Sequence, residues 1–258
     1  MDLIAAIGRN RAAFLLALQF LTRLRTSVDF SPEALRDSPR WYPAVGVIVG
    51  LIAGTAYWAA SAFYGPLLAS IAATIAAVMV TGALHEDGFA DVCDGLGGHA
   101  SRERVLEIMR DSRIGTYGTL GLGLMLAARI TALAALPNSA APFVLIAGHA
   151  ASRASMLQVM ATVRYARDQG AASGVAGGAD SRALQIGLIT AALAALPLMF
   201  VLPIAAIATG TVGLVAAHYA IRQSFEDRLG GYTGDCLGAV QQCSELGFYL
   251  GTLLMVAA

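Results

Sequence analysis

Four carboxylates are gathered in the segment LHEDGFADVCDGLGG, from Leu84 to Gly98: Glu86, Asp87, Asp91 and Asp94. The last three follow an i, i+4, i+7 spacing, which places side chains on one face of a helix. Carboxylates this close repel each other, so that without a cation some would take up protons. Mg²⁺ prefers a few carboxylates together with the phosphate oxygens of a substrate. The cluster therefore predicts a magnesium site that binds a diphosphate at a membrane surface.

We expect the helix that carries these acids to continue from the apolar segment Pro66–Leu84 past His85. A solvated acidic loop is the ordinary alternative, but such a loop would contain lysine, serine and proline. Here the acids alternate instead with Gly88, Phe89 and other small or apolar residues. The ligand spacing also differs from that of an EF-hand calcium loop. Three roles are open to His85: general base, metal ligand, or hydrogen-bond partner of a ligating carboxylate.

A second candidate segment is RDSRIGTYG, from Arg110 to Gly118, at the start of another apolar segment. Its glycines predict a turn into a helix N-terminus, where backbone N–H groups and the helix dipole favour an anion. An arginine here can add a bidentate phosphate contact. The alternative is an ordinary helix cap with a favourably placed aspartate. The residues predicted to bind substrate in this segment are Asp111, Ser112, Arg113 and Gly115.

The third candidate segment, LGGYTGDCLGAVQQCSELG, runs from Leu229 to Gly247. Its glycines predict a flexible loop, and Asp235 stands where a helix would begin, which is a normal capping position. Asp235 is also predicted to lie on the same side of the membrane as the acidic cluster, where it would complete a metal shell. The residues predicted to bind substrate in this segment are Gly231, Thr233, Gly234 and Glu245.

Two charged residues are predicted to lie deep inside apolar helices. Glu245 falls a few turns into the last apolar segment, and Arg153 falls near the middle of Ala141–Val163, close to His149. Ionisable groups inside a membrane segment are costly and are functional candidates by default. Two roles are open to Arg153: binding a substrate phosphate, or pairing with Glu245 as a structural bridge.

These segments belong to a chain whose composition excludes an ordinary soluble domain. Of its 258 residues, 57% are hydrophobic and only 13% are charged, about half the charged fraction of soluble domains. The apolar residues form seven blocks of the length that crosses a bilayer as a helix. The blocks are Tyr42–Tyr64, Pro66–Leu84, Tyr117–Leu136, Ala141–Val163, Ala183–Leu202, Pro203–Ile221 and Cys236–Ala258. We therefore predict a single all-α domain, 1–258, built as a polytopic membrane bundle.

The arginines predict the orientation of this bundle, since the chain contains no lysine. The long connections 23–41, 85–116, 164–182 and 222–235 hold 13 of the 17 arginines. The short connections between the blocks hold none. By the positive-inside rule the long connections face the cytoplasm.

The N-terminal part of the chain contains one further candidate helix. Arg11–Leu24 is short for a span and has arginine near both ends, which favours an interfacial or re-entrant helix. Crossing the membrane with the help of Met1–Gly8 is the alternative. The start lacks the features of a cleaved signal peptide.

The cysteines form no CxxC pair, so we expect Cys93, Cys236 and Cys243 to be structural.

Three motifs in this order resemble the cobalamin synthase family, also called adenosylcobinamide-GDP ribazoletransferases. They are HEDGFADVCDGLGG at 85–98, RDSRIGTYG at 110–118 and GGYTGDCLGA at 230–239. The N-terminal stretches LALQFLTRLRT and RWYPAVGVIVG are similar to the family as well. The resemblance therefore covers essentially the whole chain.

The resemblance implies an enzyme of the bacterial or archaeal inner membrane that needs Mg²⁺ and completes the nucleotide loop of vitamin B12. It joins adenosylcobinamide-GDP to α-ribazole or its 5′-phosphate and releases GMP. Asp87, Asp91 and Asp94 would hold metal ions, with Glu86 and Asp235 as further ligands. The catalytic base would be Asp94 or His85, and Asp111, Arg113 and Arg153 would hold the substrate.

Two other functions stay open on the sequence alone. CDP-alcohol phosphatidyltransferases also place aspartates at helical spacing on a membrane helix, but their DxxDGxxAR pattern differs, since here the glycine follows Asp87 at once. A cation transporter would carry its acids near the bilayer midplane, often in repeated halves. The small-residue helix faces permit a homo-oligomer without demanding one, and no nucleic-acid partner is expected.

Overall fold

The computed structural model describes residues 3–167, 174–175 and 179–256. These residues form helices, together with one isolated parallel bridge between Tyr165 and Tyr232. In chain order the helices are α1 (Leu3–Leu21), α2 (Pro32–Asp37), α3 (Tyr42–Ser61), α4 (Pro66–Thr81), α5 (Leu84–Gly97), α6 (Arg102–Ile108), α7 (Thr116–Ala135), α8 (Ala141–Thr162), α9 (Ser181–Ala195), α10 (Ile204–Leu229) and α11 (Gly234–Leu253).

In the described residues, each of the seven predicted apolar blocks is largely helical, which confirms the all-α bundle. By length and hydropathy, four described segments qualify as membrane spans: Pro32–Ser61, Thr116–Ala135, Ser181–Phe200 and Ile204–Leu229. A fifth qualifies if α4 and α5 together form one broken span. α8 and α11 contain buried polar and charged side chains, among them Arg153 and Glu245. The predicted number of seven spans therefore stays a prediction.

Small residues bring the helices of the bundle close together. Gly46, Gly50 and Gly54 lie on one face of α3, and a side chain at any of them would run into the backbone of α8. α10 and α11 meet in the same way, at Gly213 and Gly247. Close backbone approach at small residues is how membrane helices gain packing contacts without a hydrophobic driving force.

The structure corrects the expectation that Pro66–Leu84 continues as one helix past His85. α4 ends at Thr81, and α5 begins at Leu84 after a bend of 91°. The bend is made by Gly82 and Ala83, which both adopt a left-handed conformation with φ of 70° and 62°. α5 is helical in its own right, so the spacing of its acids still defines one face.

The bend fixes where the acidic helix lies. If α4 crosses the bilayer, α5 runs roughly parallel to the membrane plane, and we treat α5 as lying outside the spanning segments. α5 packs mainly on α11 and α7. α11 also contacts α8 and α10, so that it forms the centre of this half of the bundle.

The predicted cytoplasmic connections are partly helical. Residues 85–116 contain most of α5 and all of α6, and α10 continues to Leu229, well into the predicted connection 222–235. Of the connection 164–182, residues 168–173 and 176–178 lie outside the described residues. α1 begins at Leu3 and so includes most of Met1–Gly8, of which residues 1–2 are likewise outside the described part.

Candidate active site

Two helices bring the acidic residues together. α5 crosses the first turn of α11 at a point where each of the two helices carries a glycine. A methyl group on Gly88 would lie 2.9 Å from the Cα of Asp235, and one on Gly238 would lie 3.0 Å from the carbonyl oxygen of His85. This close crossing places Asp235 beside the face of α5 that carries Asp91, as the sequence predicted.

The charges on this face are crowded. Burial, followed by the neighbouring charges of Asp235 and Asp87, raises the pKa of Asp91 from its ordinary 3.8 to about 7. Among the described residues, no three His, Cys, Asp or Glu side chains converge closely enough to hold a metal ion by themselves. The crowded face nevertheless favours a cation, because a cation would relieve the repulsion between the carboxylates.

Asp94 has a second role that the sequence did not predict. Its two carboxylate oxygens accept hydrogen bonds from the backbone N–H groups of Gly115, at 2.7 Å, and Gly118, at 2.8 Å. The carboxylate therefore caps the N-terminus of α7, which is the anion-binding position that we assigned to a substrate phosphate. Asp94 thus ties the acidic helix to α7.

A polar cleft of about 410 Å³ opens beside this cap. Asp94, Asp111, Arg113 and Gly115 line it, so the second predicted segment does lie next to the acidic helix. Arg113 pairs with Asp111 at 2.6 Å and lowers the pKa of that carboxyl to about 2. The Arg113 side chain is 86% exposed, so it can turn towards a phosphate in the cleft. Ser112 is exposed in the same turn.

The loop before α11 holds Asp235 in place. Thr233 caps α11 by accepting a hydrogen bond from the N–H of Cys236, and its hydroxyl donates to Asp235 at 3.2 Å. Gly231 lies so close to the chain at Arg164 that a side chain there would collide with the Arg164 carbonyl oxygen. Of the predicted residues of this loop, Gly231 and Thr233 therefore position Asp235, and Gly234 is the first residue of α11.

Arg167 is a site residue that sequence reasoning missed. Its guanidinium pairs with Asp235 at 2.9 Å. The bridge between Tyr165 and Tyr232 brings it there, since the Ala166 N–H donates to the Tyr232 carbonyl oxygen and the Tyr232 N–H donates to the Arg164 carbonyl oxygen. Three arginines stand in the predicted connection 164–182, and nothing in their spacing distinguishes Arg167.

Glu86 lies away from the crowded face, in a buried polar network. It accepts hydrogen bonds from Gln242 at 3.0 Å and from Arg129 at 3.4 Å, and it is 5% exposed. Arg129 also pairs with Glu245 at 2.9 Å. These contacts link α5, α7 and α11. The metal role of Glu86 stays a prediction, and its neighbours indicate a structural role instead.

The same network contains Glu245 and Arg153, both predicted to bind substrate. Glu245 is bridged by Arg129 and lies 2.7 Å from the Nδ1 atom of His149, whereas Arg153 donates to the His149 carbonyl oxygen at 3.0 Å. The ion pair that we considered between Arg153 and Glu245 is therefore made by Arg129. Arg153 and Glu245 are each 1% exposed, so neither reaches the cleft without rearrangement. His85, 2% exposed, is enclosed as well.

Comparison with known proteins decides the family. A family model described as cobalamin-5-phosphate synthase matches residues 13–253. The chain belongs to the cobalamin-5-phosphate synthase family. It is 41% identical to an adenosylcobinamide-GDP ribazoletransferase of Leptothrix cholodnii, over 96% of this chain and 97% of that protein. Proteins of the same name from Ralstonia nicotianae and Shewanella piezotolerans are 40% and 36% identical, each over 95% of both chains. No solved structure is similar to the chain.

As a member of the cobalamin-5-phosphate synthase family, the protein is a transferase of cobalamin biosynthesis. The matched region 13–253 includes the acidic helix, the polar cleft and the loop before α11. The resemblance predicted from the three motifs is thereby confirmed. The roles of the individual site residues stay predictions.

Proposed function

We propose that the protein transfers the adenosylcobinamide phosphate group from adenosylcobinamide-GDP to α-ribazole or its 5′-phosphate, with release of GMP. The observation that carries this proposal is the crowded acidic face of α5 opposite Asp235, next to a polar cleft that contains Arg113. A diphosphate between metal-binding carboxylates and an exposed arginine is the substrate that this arrangement fits.

The residues of this face fit Mg²⁺. Burial and the facing charges of Asp235 and Asp87 raise the pKa of Asp91 to about 7, and a divalent ion would replace the proton that Asp91 then holds. Asp87, Asp91 and Asp235 would share the ion with the substrate phosphates, which would supply the ligands that the side chains do not provide by themselves. When bound, Mg²⁺ would neutralise the diphosphate and stabilise the leaving oxygen.

The protein's own side chains would bind the diphosphate, hold α5 against α7 and accept the hydroxyl proton. A ribose hydroxyl of the acceptor forms a new bond to the phosphorus on the corrinoid arm, the bond to GMP breaks, and the hydroxyl proton passes to a carboxylate. Arg113 would hold the diphosphate in the cleft, since only its contact with Asp111 must be exchanged. Asp94 already accepts two backbone hydrogen bonds and would keep α5 in register with α7. We propose that Asp94, which lines the cleft, receives the proton.

We also propose that the site faces the cytoplasm of a bacterial cell. The arginine-rich connections lie at the same end of the helices as α5 and the loop before α11, and the positive-inside rule places that end in the cytoplasm. The family match favours this function over a CDP-alcohol phosphatidyltransferase or a cation transporter.

The test is a reconstituted transfer reaction. Purified protein in liposomes is supplied with adenosylcobinamide-GDP and α-ribazole, with either Mg²⁺ or EDTA, and cobalamin and GMP are quantified by chromatography. We expect equal amounts of the two products in Mg²⁺ and none in EDTA. Asp91→Asn should lower turnover at least a hundredfold, whereas Asp227→Asn, an exposed aspartate on α10, should leave it unchanged. Full turnover in EDTA, or by the Asp91→Asn protein, would refute the proposal.

A further inference from the structure

A groove on the side of the bundle is separate from the acidic site. It lies between α9 and α10 and has a floor made by α8 and Phe248 of α11. α9 packs mainly on α8 and α10 packs mainly on α11, so the two helices stand apart and leave a space of about 400 Å³. Its walls are mostly alanine, leucine, isoleucine and valine side chains. Exposed residues along its edge, including Leu188 and Val215, show that it opens to the outside.

One end of the groove is polar. His218 lines it and is 4% exposed, and neither of its ring nitrogens has a hydrogen-bond partner among the described residues. Gln158 stands at the same end, where it accepts a hydrogen bond from Arg222 at 2.9 Å. The Arg222 guanidinium also lies over the Tyr219 ring, 5.9 Å from its centre. The groove therefore runs from an apolar end to a hydrogen-bonding end.

The dimensions of the groove match one leaflet of a membrane. Its lining on α10 runs from Ile207 to Tyr219, which at 1.5 Å per residue is about 18 Å. A bilayer core is about 30 Å thick, so the groove is about as long as one leaflet is deep. Its polar end is one turn from Arg222, in the charged final part of α10 that we place at the cytoplasmic interface.

The width of the groove selects its occupant. The total space of the groove, about 1060 Å³ including the part open to the outside, gives a mean width of roughly 8 to 9 Å over that length, less than the 10 to 12 Å of an α-helix with its side chains. A whole helix of a second copy would therefore lie on the rim of the groove and not inside it. A buried water needs two to four polar partners, and the walls around His218 offer few. A single extended hydrocarbon chain fits.

We propose that this groove binds one ester-linked acyl chain of a membrane lipid from the cytoplasmic leaflet. The chain would lie along α10 towards Ile207, and the ester carbonyl would accept a hydrogen bond from His218. A neutral imidazole carries one hydrogen-bond donor and one acceptor, so a carbonyl oxygen can accept a hydrogen bond from the donor nitrogen of His218. Phospholipids and diacylglycerols share this chemistry. The proposal does not depend on the reaction that the acidic site catalyses.

The test uses delipidated protein in detergent and a phosphatidylglycerol with a photoactivatable acyl chain. After illumination, mass spectrometry counts the lipids attached to each chain and locates them. We expect saturable labelling that approaches one lipid per chain, located on α8, α9 or α10, and competed by unlabelled lipid. A photoactivatable diacylglycerol, used in parallel, should label the same peptides if the ester end is recognised, and labelling by phosphatidylglycerol alone would assign recognition to the phosphate.

Matched variants make the test specific. Ala192→Phe fills the groove from α9, and Ala127→Phe adds the same ring to an exposed position of α7 away from it. We expect labelling to fall at least fivefold in the first and to stay unchanged in the second. His218→Leu should weaken labelling several-fold, whereas His218→Gln, which keeps a donor, should retain it. Size-exclusion profiles and melting curves show that each variant is folded.

Three results would overturn the proposal. The first is labelling that does not saturate, as expected for lipids that merely surround the bundle. The second is equal labelling of Ala192→Phe and the unmodified protein. The third is a dimer that takes up no lipid and dissociates on the Ala192→Phe substitution, which would assign the groove to a second copy.

Discussion

Asp91 should destabilise the protein when no metal is bound. Its carboxyl has a pKa of about 7 in the folded protein, against an ordinary value of 3.8, because it is partly buried and faces Asp235 and Asp87. Such a difference corresponds to about 4 kcal/mol of unfavourable free energy for the ionised form. Asp91 is only partly buried, so solvent screening reduces this to about 2 kcal/mol. In EDTA at pH 8, Asp91→Asn should therefore be about 2 kcal/mol more stable than the unmodified protein.

The pH dependence follows from the sign of this pKa difference. A carboxyl whose pKa is raised by folding binds its proton more tightly in the folded state, so the free energy of unfolding falls as pH rises from 3.8 to about 7. Well below pH 3.8 the Asp91 carboxyl is neutral in both states, and the advantage of Asp91→Asn should disappear. Above pH 7 the whole difference should be present.

Thermal unfolding in detergent measures this difference. A thiol-reactive dye reports unfolding, since the three free cysteines lie in helices and Cys236 is buried. Mg²⁺ should reverse the order, because it stabilises only the protein that binds it. Asp227→Asn, on exposed α10 surface, serves as the control and should change neither curve. A less stable Asp91→Asn protein at pH 8 in EDTA would show that the carboxylates of this face do not repel each other.

Three further substitutions test the scaffold around the site. Arg129→Met should lower the free energy of unfolding by about 3 to 5 kcal/mol, because it leaves Glu86 and Glu245 buried without their cation. Denaturant melts measure this loss. Adding Glu245→Gln to the variant should restore part of it. Gly88→Ala should lower the free energy of unfolding by about 1 to 3 kcal/mol, because its methyl group meets Asp235. It should also weaken Mg²⁺ binding measured by calorimetry. Gly123→Ala, in open space, should change neither quantity. Gly82→Ala should cost about 1 to 2 kcal/mol in the same melts, because its φ is 70°; a neutral result would show that the bend tolerates a side chain.

Hydropathy and helical spacing predicted the bundle and the acidic face, since both depend on residues close together in the chain. The 91° bend could not be predicted in the same way. Gly82 permits a left-handed turn, but Ala83 gives no such signal and adopts one as well. The sequence could not predict which arginine pairs with Glu245. Arg129 and Arg153 both lie within apolar blocks, and their positions in the chain do not distinguish them. Only the packing of α7 against α11 shows that Arg129 makes the pair.

The contrast between the two carboxylate groups explains how one short helix serves two purposes. On its buried side, Glu86 is neutralised by Arg129, which is also bridged to Glu245 on α11, so that α5 is held against the bundle. On the other side, Asp87 and Asp91 face Asp235, and Arg167, which pairs with Asp235, offsets only part of the charge around Asp91. A fully paired acidic face would have no need of a cation. Because the buried network fixes the position of α5, its crowded face cannot move apart to relieve the repulsion, and it remains ready to bind a divalent ion and the diphosphate that comes with it.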